Sequence, residues 1–168
     1  RMDLNMVPVS VVRAVEGVPG VVQIWMQSAI GLPSIEAYRG LSLLEGLESQ
    51  IARARAFSAL IGLEERVDTG RMLLPVSRRV VIADNGIAFP EDPVVGRYLE
   101  EGCGPVGSAF MASLRTLTRE QLQADLEDLL SEPQIDALWR RREGLLELCD
   151  QPVADWSIEK VLLSTRRP

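Results

Sequence analysis

Two short apolar stretches near the start of the chain, 7–15 and 21–27, have the composition of β-strands. In the second stretch every other residue is apolar, beginning at Val22, so one face of a strand there would be uniformly apolar. The residues between the stretches, 16–20, are rich in glycine and proline, which is typical of a turn. The pattern predicts a β-hairpin, followed by a loop that contains Gly31, Pro33 and Gly40.

Helical spacing begins in the next part of the chain. Ser42 with Glu45 three residues later has the form of a capping box, which predicts a helix over 42–62. Its apolar residues recur at intervals of three or four: Leu44, Leu47, Ile51, Ala54, Phe57 and Ile61. The stretches 72–75 and 79–83 then predict a second, shorter hairpin, with Asp84 at its end.

Two further capping boxes open helices in the last third of the chain. Thr118 pairs with Gln121, and Ser131 with Gln134, each ahead of a run with helical spacing. The order is hairpin, long helix, hairpin and a helical C-terminal half, without an internal repeat. This order predicts a helix-rich, strand-poor α+β fold.

Length and composition indicate one globular domain. The chain has 168 residues, 46% hydrophobic and 25% charged, which is an ordinary globular balance. No apolar run is long enough to span a membrane, and no signal-peptide pattern follows Arg1. The formal charge of −6 disfavours nucleic acid as a partner, because no basic stripe offsets phosphate repulsion.

The basic residues and the cysteines limit which kinds of functional site the chain could contain. Lysine occurs once among the 18 basic residues, at Lys160, a composition typical of a GC-rich genome. The arginine cluster 140–142 is interpreted as a solvated helix face. Cys103 and Cys149 match no metal spacing, and we expect reduced thiols in a cytoplasmic protein.

Other site types are excluded by missing residues. The chain has no histidine, which excludes Ser-His and Cys-His nucleophile pairs and histidine metal sites. The glycines in 102–107 follow no strand pattern and have no lysine beside them, so this segment does not predict a phosphate loop.

The stretch 80–90, VVIADNGIAFP, allows two interpretations. Asp-Asn-Gly is common turn chemistry, so Asp84 could simply end a hairpin. Alternatively, Asp84 could be a strand-end carboxylate that holds a metal bound to phosphates, since hard divalent cations prefer such oxygens.

Four segments, in order, resemble the phosphatidylinositol 3-/4-kinase superfamily, above all type II phosphatidylinositol 4-kinases and bacterial relatives such as HipA-type kinases. The segment 19–29, PGVVQIWMQSA, is similar to the last N-lobe strand and hinge. The segment 57–74 lies where these kinases carry the catalytic loop Asp-Arg-x-x-x-Asn. The segment 80–90 resembles their Ile-Asp-Asn-Gly-Leu-Ala-Phe-Pro, and 113–130 with 140–148 resembles their C-terminal helices.

The resemblance implies a protein-kinase-like fold, with a remnant N-lobe hairpin and hinge in 1–30 and a helical C-lobe in 31–168. The backbone around Trp25, Met26 and Gln27 would line the adenine slot of ATP, and Asp84 would bind Mg²⁺.

The resemblance also implies roles for the rest of the Asp-Asn-Gly loop. Gly86 would let the backbone turn where a Cβ would clash. Ile87 and Phe89 would anchor the loop in the core.

The chain departs from the family at the catalytic loop. Glu65 stands where the family has the catalytic aspartate, and the extra methylene displaces its carboxylate from a substrate hydroxyl. Arg66 is retained. Gly70 stands where the family has a metal-binding asparagine, and it has no side chain to offer a metal. Only Asp68 or Glu64, from a shifted loop, could supply the missing ligand. No lysine precedes Trp25 to hold the phosphates, so the chain would be a fragment or would have lost half of the ATP site.

Three functions remain open at this point. The first is a degenerate, pseudokinase-like module that binds or scaffolds. The second is an active phosphotransferase on lipid or protein whose N-lobe comes from another segment or chain. The third is a structural or assembly protein, with a partner or a second copy covering the apolar hairpin.

Overall fold

The computed structural model of the protein describes residues 6–8, 10–23, 26–32, 45–63, 71–83, 85–95, 99, 102–151 and 156–157. Its strands are β1 (Ser10–Val15), β2 (Val18–Gln23), β3 (Ile30–Gly31), β4 (Arg71–Leu74) and β5 (Arg79–Ile82). Its helices are α1 (Glu48–Leu60), α2 (Ser108–Thr116), α3 (Arg119–Leu126) and α4 (Glu132–Cys149). The fold is mixed α+β, as the order of sequence patterns predicts.

The first hairpin is confirmed, with different boundaries. β1 and β2 pair antiparallel, with Val15 opposite Val18. The turn holds only Glu16 and Gly17, both at positive φ (52° and 81°), which is a type I′ turn. The predicted five-residue loop was too long, because Pro19 belongs to β2 instead of the turn.

The second strand also ends earlier than predicted. β2 stops at Gln23, and Gln27 lies in a turn with Ser28, which has φ 59°. Since Gln27 is itself a turn residue and the positive φ of Ser28 breaks the extended conformation directly after it, the predicted strand does not extend through Gln27.

The second hairpin is confirmed and belongs to a three-stranded sheet. The strand order is β3-β4-β5, all antiparallel, with Ile30 opposite Leu73 and Met72 opposite Val81. The sequence did not predict β3, because two residues are too few to show an alternating pattern.

Helix α1 begins six residues later than its predicted capping box. Glu45 and Gly46 form a turn, and Gly46 has φ 75°, which a right-handed helix cannot contain. Ser42 lies outside the described residues. The Glu48 carboxylate accepts a hydrogen bond from the Gly46 backbone N–H, so the wrong carboxylate was assigned to the helix start.

Helix α1 is covered on two sides. Ile51 and Ala54 pack in a core cluster with strand residues such as Leu73. Ala52 and Ala56 pack in a second cluster formed with helices α2 to α4. Three of the described aromatic residues contact both clusters: Phe57, Phe89 and Trp156. Small side chains let the helix approach neighbours on both sides, which explains its alanine content.

Both C-terminal capping boxes are confirmed. In α3 the Thr118 hydroxyl accepts from the Gln121 N–H at 3.2 Å, and the Gln121 side chain accepts from the Thr118 N–H at 3.0 Å. In α4 the Ser131 N–H donates to Gln134 Oε1 at 2.9 Å. These local pairs set the starts of both helices.

The expectation of reduced thiols was wrong. Cys103 and Cys149 form a disulfide with a Cα–Cα distance of 5.0 Å across 46 residues of sequence. It ties the end of α4 to the loop that leads into α2. The residues are distant in sequence but adjacent in the fold, which spacing alone could not reveal.

Among the described helices, none combines the length and apolar composition that crossing a membrane requires.

Candidate functional site

The loop that follows β5 is the candidate site. Ala83 is buried directly after the strand, and the backbone from Asn85 turns through Gly86 and Ile87 before running on to Asp92. Asp84 itself lies outside the described residues. The site is therefore defined by what holds the loop on either side of that position.

The end of α1 holds the loop by direct backbone contact. The Phe89 N–H donates to the Ile61 carbonyl at 2.7 Å. A Cβ built on Gly62 would lie 2.5 Å from Pro90 Cδ, and Gly62 has φ 75°. Only glycine satisfies both the left-handed conformation and this close approach. The loop and the end of α1 are therefore in backbone contact.

Arg141 binds the same two segments from α4. This side chain is fully buried. Its Nε donates to the Leu60 carbonyl at 2.9 Å, and its Nη1 donates to the carbonyls of Pro90, at 3.0 Å, and Asp92. Hydrogen bonds from a charged donor contribute about 1.5–3 kcal/mol each. One guanidinium thus joins the last turn of α1 to the loop.

Gln134 adds a second bond from α4. While its Oε1 accepts from the Ser131 N–H, its Nε2 donates to the Phe89 carbonyl at 2.8 Å. Phe89 has φ 63°, a conformation that costs a non-glycine residue free energy. Its N–H, its carbonyl and its packed ring all hold it in place.

The arginine cluster is not the solvated face that the sequence suggested. Only Arg140 is exposed, while Arg141 is buried. Arg142 donates to the carbonyls of Leu114 and Arg115, at 3.0 and 2.7 Å, and caps the C-terminus of α2. Its guanidinium carbon also lies 4.5 Å from the centre of the Trp139 ring, a cation–π contact.

Of the three predictions for the loop's other residues, one is confirmed and two are wrong. Phe89 anchors the loop against both core clusters, as predicted. Ile87 was wrongly assigned as an anchor, because it is 52% exposed. The steric role of Gly86 was also wrong, since no heavy atom of the described residues, apart from its two chain neighbours, lies within 4 Å of a Cβ built there. The glycine with that role is Gly62.

Most predicted site residues lie outside the described residues: Trp25, Glu65, Arg66 and Asp84. Met26 is half-buried and Gln27 is exposed in its turn. Described residues close to these positions nevertheless pack together in space. They are Ile30, Leu63 and Ala88, which all pack in the core cluster that joins α1 to the strands.

The described residues do not by themselves form a metal–nucleotide site. Asn85 Oδ1 is buried and has no hydrogen-bond partner among the described residues, and an amide oxygen is a suitable ligand for Mg²⁺. Within the described part of the chain, however, no group of three or more acidic, histidine or cysteine side chains accompanies it. One amide oxygen provides too few ligands to bind the ion.

Arg141 and Gly62 were missed by the sequence patterns, although Arg141 left a signal. Ile135, Leu138 and Leu145 are buried on α4, and Arg141 falls between them at the same helical spacing. An arginine inside an apolar stripe indicates a buried charge with backbone or side-chain partners.

Comparison with family models, curated proteins and solved structures finds no match to this chain. The kinase resemblance therefore stays a prediction.

Proposed function

We propose that the protein is a degenerate module of the phosphatidylinositol 3-/4-kinase type that acts by binding or scaffolding instead of phosphoryl transfer. One observation carries the proposal. The end of α1, which leads into the expected catalytic loop, is hydrogen-bonded through Ile61 to Phe89 of the Asp-Asn-Gly loop. In a kinase these two segments must lie side by side, because base and metal act on one phosphoryl group.

The way in which the loop is held supports the proposal that the scaffold of a kinase-like site, here called the frame, has been retained. Arg141 and Gln134 fix the loop from α4, and Gly62 fits against Pro90. Rigid placement of this kind is what a functional loop requires from its scaffold. The frame would serve a binding surface as well as an active site.

The sequence supports loss of the chemistry. Glu65 replaces the catalytic aspartate, Gly70 replaces the metal-binding asparagine, and no lysine precedes Trp25. A misplacement of about 1 Å at a reacting group can cost about a hundredfold in rate. The displaced carboxylate, the missing asparagine and the missing lysine together favour a module that no longer transfers phosphate.

The active phosphotransferase is the competing proposal. It would use Glu65 as base and Asp84 on Mg²⁺, with ATP as donor and an N-lobe supplied by another segment or chain. The observation that favours it is the buried Asn85 Oδ1, which has no hydrogen-bond partner in the part of the chain that the structure describes. Turnover of ATP that disappears in Asp84→Ala would support this proposal and overturn ours.

A structural or assembly role is the third candidate. Val11, Val18 and Val21 are 44%, 67% and 70% exposed on the first hairpin, which leaves apolar surface for a partner to cover. The net charge of −6 disfavours nucleic acid as the partner.

The cytoplasmic location stays a proposal, and the structure removes one of the observations on which it was based. It rested on reduced thiols, and the bridged pair Cys103–Cys149 is more typical of an oxidising compartment.

Magnesium-dependent binding of ATP, measured by calorimetry, tests the main proposal. We expect no binding or only weak binding, and tight binding would overturn it.

A further inference from the structure

In the described part of the chain, the hairpin β1–β2 has an unpaired outer edge on each strand. Within the described residues the two strands form a sheet of their own. Val11, Val18 and Val21 are 44%, 67% and 70% exposed on it. A two-stranded hairpin is marginally stable alone, so its stability depends on further pairing or packing.

The turn determines which backbone groups point outward. Glu16 and Gly17 form a two-residue type I′ turn, so the flanking pair Val15 and Val18 exchanges backbone hydrogen bonds inside the hairpin. Inward and outward positions then alternate. The outward backbone groups of β1 belong to Ser10, Val12 and Ala14, and those of β2 belong to Pro19, Val21 and Gln23.

One of the two edges is blocked. Pro19 has no N–H, so the outer edge of β2 lacks a donor at an outward position. Natural proteins use edge prolines in this way to prevent pairing. The outer edge of β1 retains all three N–H groups and all three carbonyls, and it is therefore the edge that can accept another strand.

We propose that a second copy of this chain pairs with the β1 edge, antiparallel, about a two-fold axis at Val12. Val12 would face Val12 of the second copy, and Ser10 would face Ala14. This register uses all three outward positions of each strand. It produces a four-stranded sheet in the order β2-β1-β1-β2.

Charge favours this register over its neighbour. With the axis at Val12, Arg13 lies opposite Val11 of the second copy. Moving the axis by one residue to Arg13, which slides the strands by two residues, sets two guanidinium groups opposite each other, and like charges placed so are destabilising in a sheet. The register centred on Val12 therefore combines the most outward hydrogen bonds with no like-charge pair.

The blocked edge limits the assembly to two copies. After β1 pairs with β1, the outer strands of the joined sheet are both β2, and each carries Pro19. An interface that uses the same edge twice closes as a dimer and cannot extend into a fibre. The inference deepens the binding role proposed above, on which it rests, by naming the partner. Nucleotide binding and self-association are measured separately, so either can fail alone.

Sedimentation equilibrium with two matched proline variants tests the pairing. Val12→Pro removes an outward N–H on the open edge, whereas Val21→Pro makes the same change at the paired residue on the blocked edge. We expect a wild-type dimer, an at least tenfold weaker dimer for Val12→Pro, and little change for Val21→Pro. A monomeric wild type overturns the inference, as does equal weakening by both variants.

If Val12→Pro fails to fold, a disulfide cross-link between the two copies tests the proposed pairing of the β1 edges. Facing residues in a hydrogen-bonded antiparallel pair have Cα atoms about 5.5 Å apart, within the range that a disulfide spans. Both native cysteines are already bridged, so Val12→Cys adds the single free thiol. We expect oxidation to give a covalent dimer for Val12→Cys and a monomer for Val21→Cys. The reverse result, or no cross-link in either variant, overturns the proposed edge.

Discussion

Gly62 and Pro90 touch so closely that position 62 has no room for a side chain. A Cβ there would lie 2.5 Å from Pro90 Cδ and 3.2 Å from the Arg141 guanidinium carbon. The three residues belong to α1's end, the candidate loop and α4. Their contact is the point at which the scaffold fixes the loop.

Gly62→Ala should therefore destabilise the protein through two separable effects. The left-handed conformation alone costs a non-glycine residue about 1–2 kcal/mol, and displacing Pro90 adds to it. Gly46→Ala isolates the first effect, because Gly46 has the same φ of 75° and open space around its Cβ.

Gly86→Ala is the neutral control for this series, with an expected change within about 0.5 kcal/mol. Urea unfolding measures all three variants, and Gly62→Ala should lose clearly more free energy of unfolding than Gly46→Ala. Equal losses would mean that the contact with Pro90 contributes nothing.

The arginine cluster should show a graded response to methionine substitution. Arg141→Met leaves three carbonyls without their donor and should cost about 3–5 kcal/mol, since an unsatisfied buried polar group costs about 1–3 kcal/mol. Arg142→Met removes the cap of α2 and should cost about 1 kcal/mol. Arg140→Met should change little, because that side chain is exposed.

Hydrogen exchange at the Phe89 amide gives a local readout of the same series. That amide bonds to Ile61, so its exchange should accelerate in Arg141→Met and stay unchanged in Arg140→Met. Three equal, small losses of stability would restore the interpretation of the cluster as a solvated face.

The disulfide should contribute substantially to stability. It closes a loop with a sequence separation of 46 residues, for which the chain-entropy relation gives about 4 kcal/mol. Chemical denaturation with and without reductant should show a difference of that order, absent in a double Cys103→Ala, Cys149→Ala variant. Two free thiols in the denatured, unreduced protein would contradict the bridge.

Acid unfolding should respond to Glu120 in the first turn of α3. A hydrogen bond from its own backbone N–H, and then one from the Thr118 hydroxyl, hold the pKa of this carboxyl below its ordinary 4.5. A carboxyl with a lowered folded-state pKa stabilises the protein above its ordinary pKa. That stabilisation is lost as the pH falls through the folded-state pKa.

Glu120→Gln should therefore be less stable than the wild type at neutral pH, and the difference should shrink in the acid range as the pH falls through the lowered folded-state pKa of Glu120. Glu127→Gln is the control at the other end of α3, where a negative charge faces the negative end of the helix dipole and its removal costs nothing. Urea unfolding across this pH range checks both variants. A constant gap between wild type and Glu120→Gln would contradict the assignment.

Local chemistry explains the parts of the fold that the sequence predicted. The capping boxes at Thr118 and Ser131 depend on residues three apart, so they can be recognised without knowing the fold. The two hairpins follow from alternation, although Pro19 was assigned to a turn because its outward position on an edge strand is set by pairing.

Contacts between distant segments explain what the sequence did not predict. Arg141 meets Leu60 and Pro90 across long stretches of chain, and Cys103 meets Cys149 only because α4 returns past the loop before α2. In the candidate site, the anchoring by Phe89 was predictable from its size and hydrophobicity. The tight glycine was assigned to Gly86 instead of Gly62 because close approach is a tertiary property.

A thermal-shift titration with ATP and magnesium tests the central claim most directly, with Asp84→Ala as the site variant. The control is Asp92→Ala, a nearby loop carboxylate whose Oδ1 accepts from the Val94 N–H. Ligand at about 100 times its dissociation constant adds about 2.7 kcal/mol of stability, enough for a readable shift. A degenerate binding module predicts no magnesium-dependent shift at millimolar nucleotide in any of the three proteins. A shift present in the wild type and in Asp92→Ala, but lost in Asp84→Ala, would contradict it and establish a working nucleotide site.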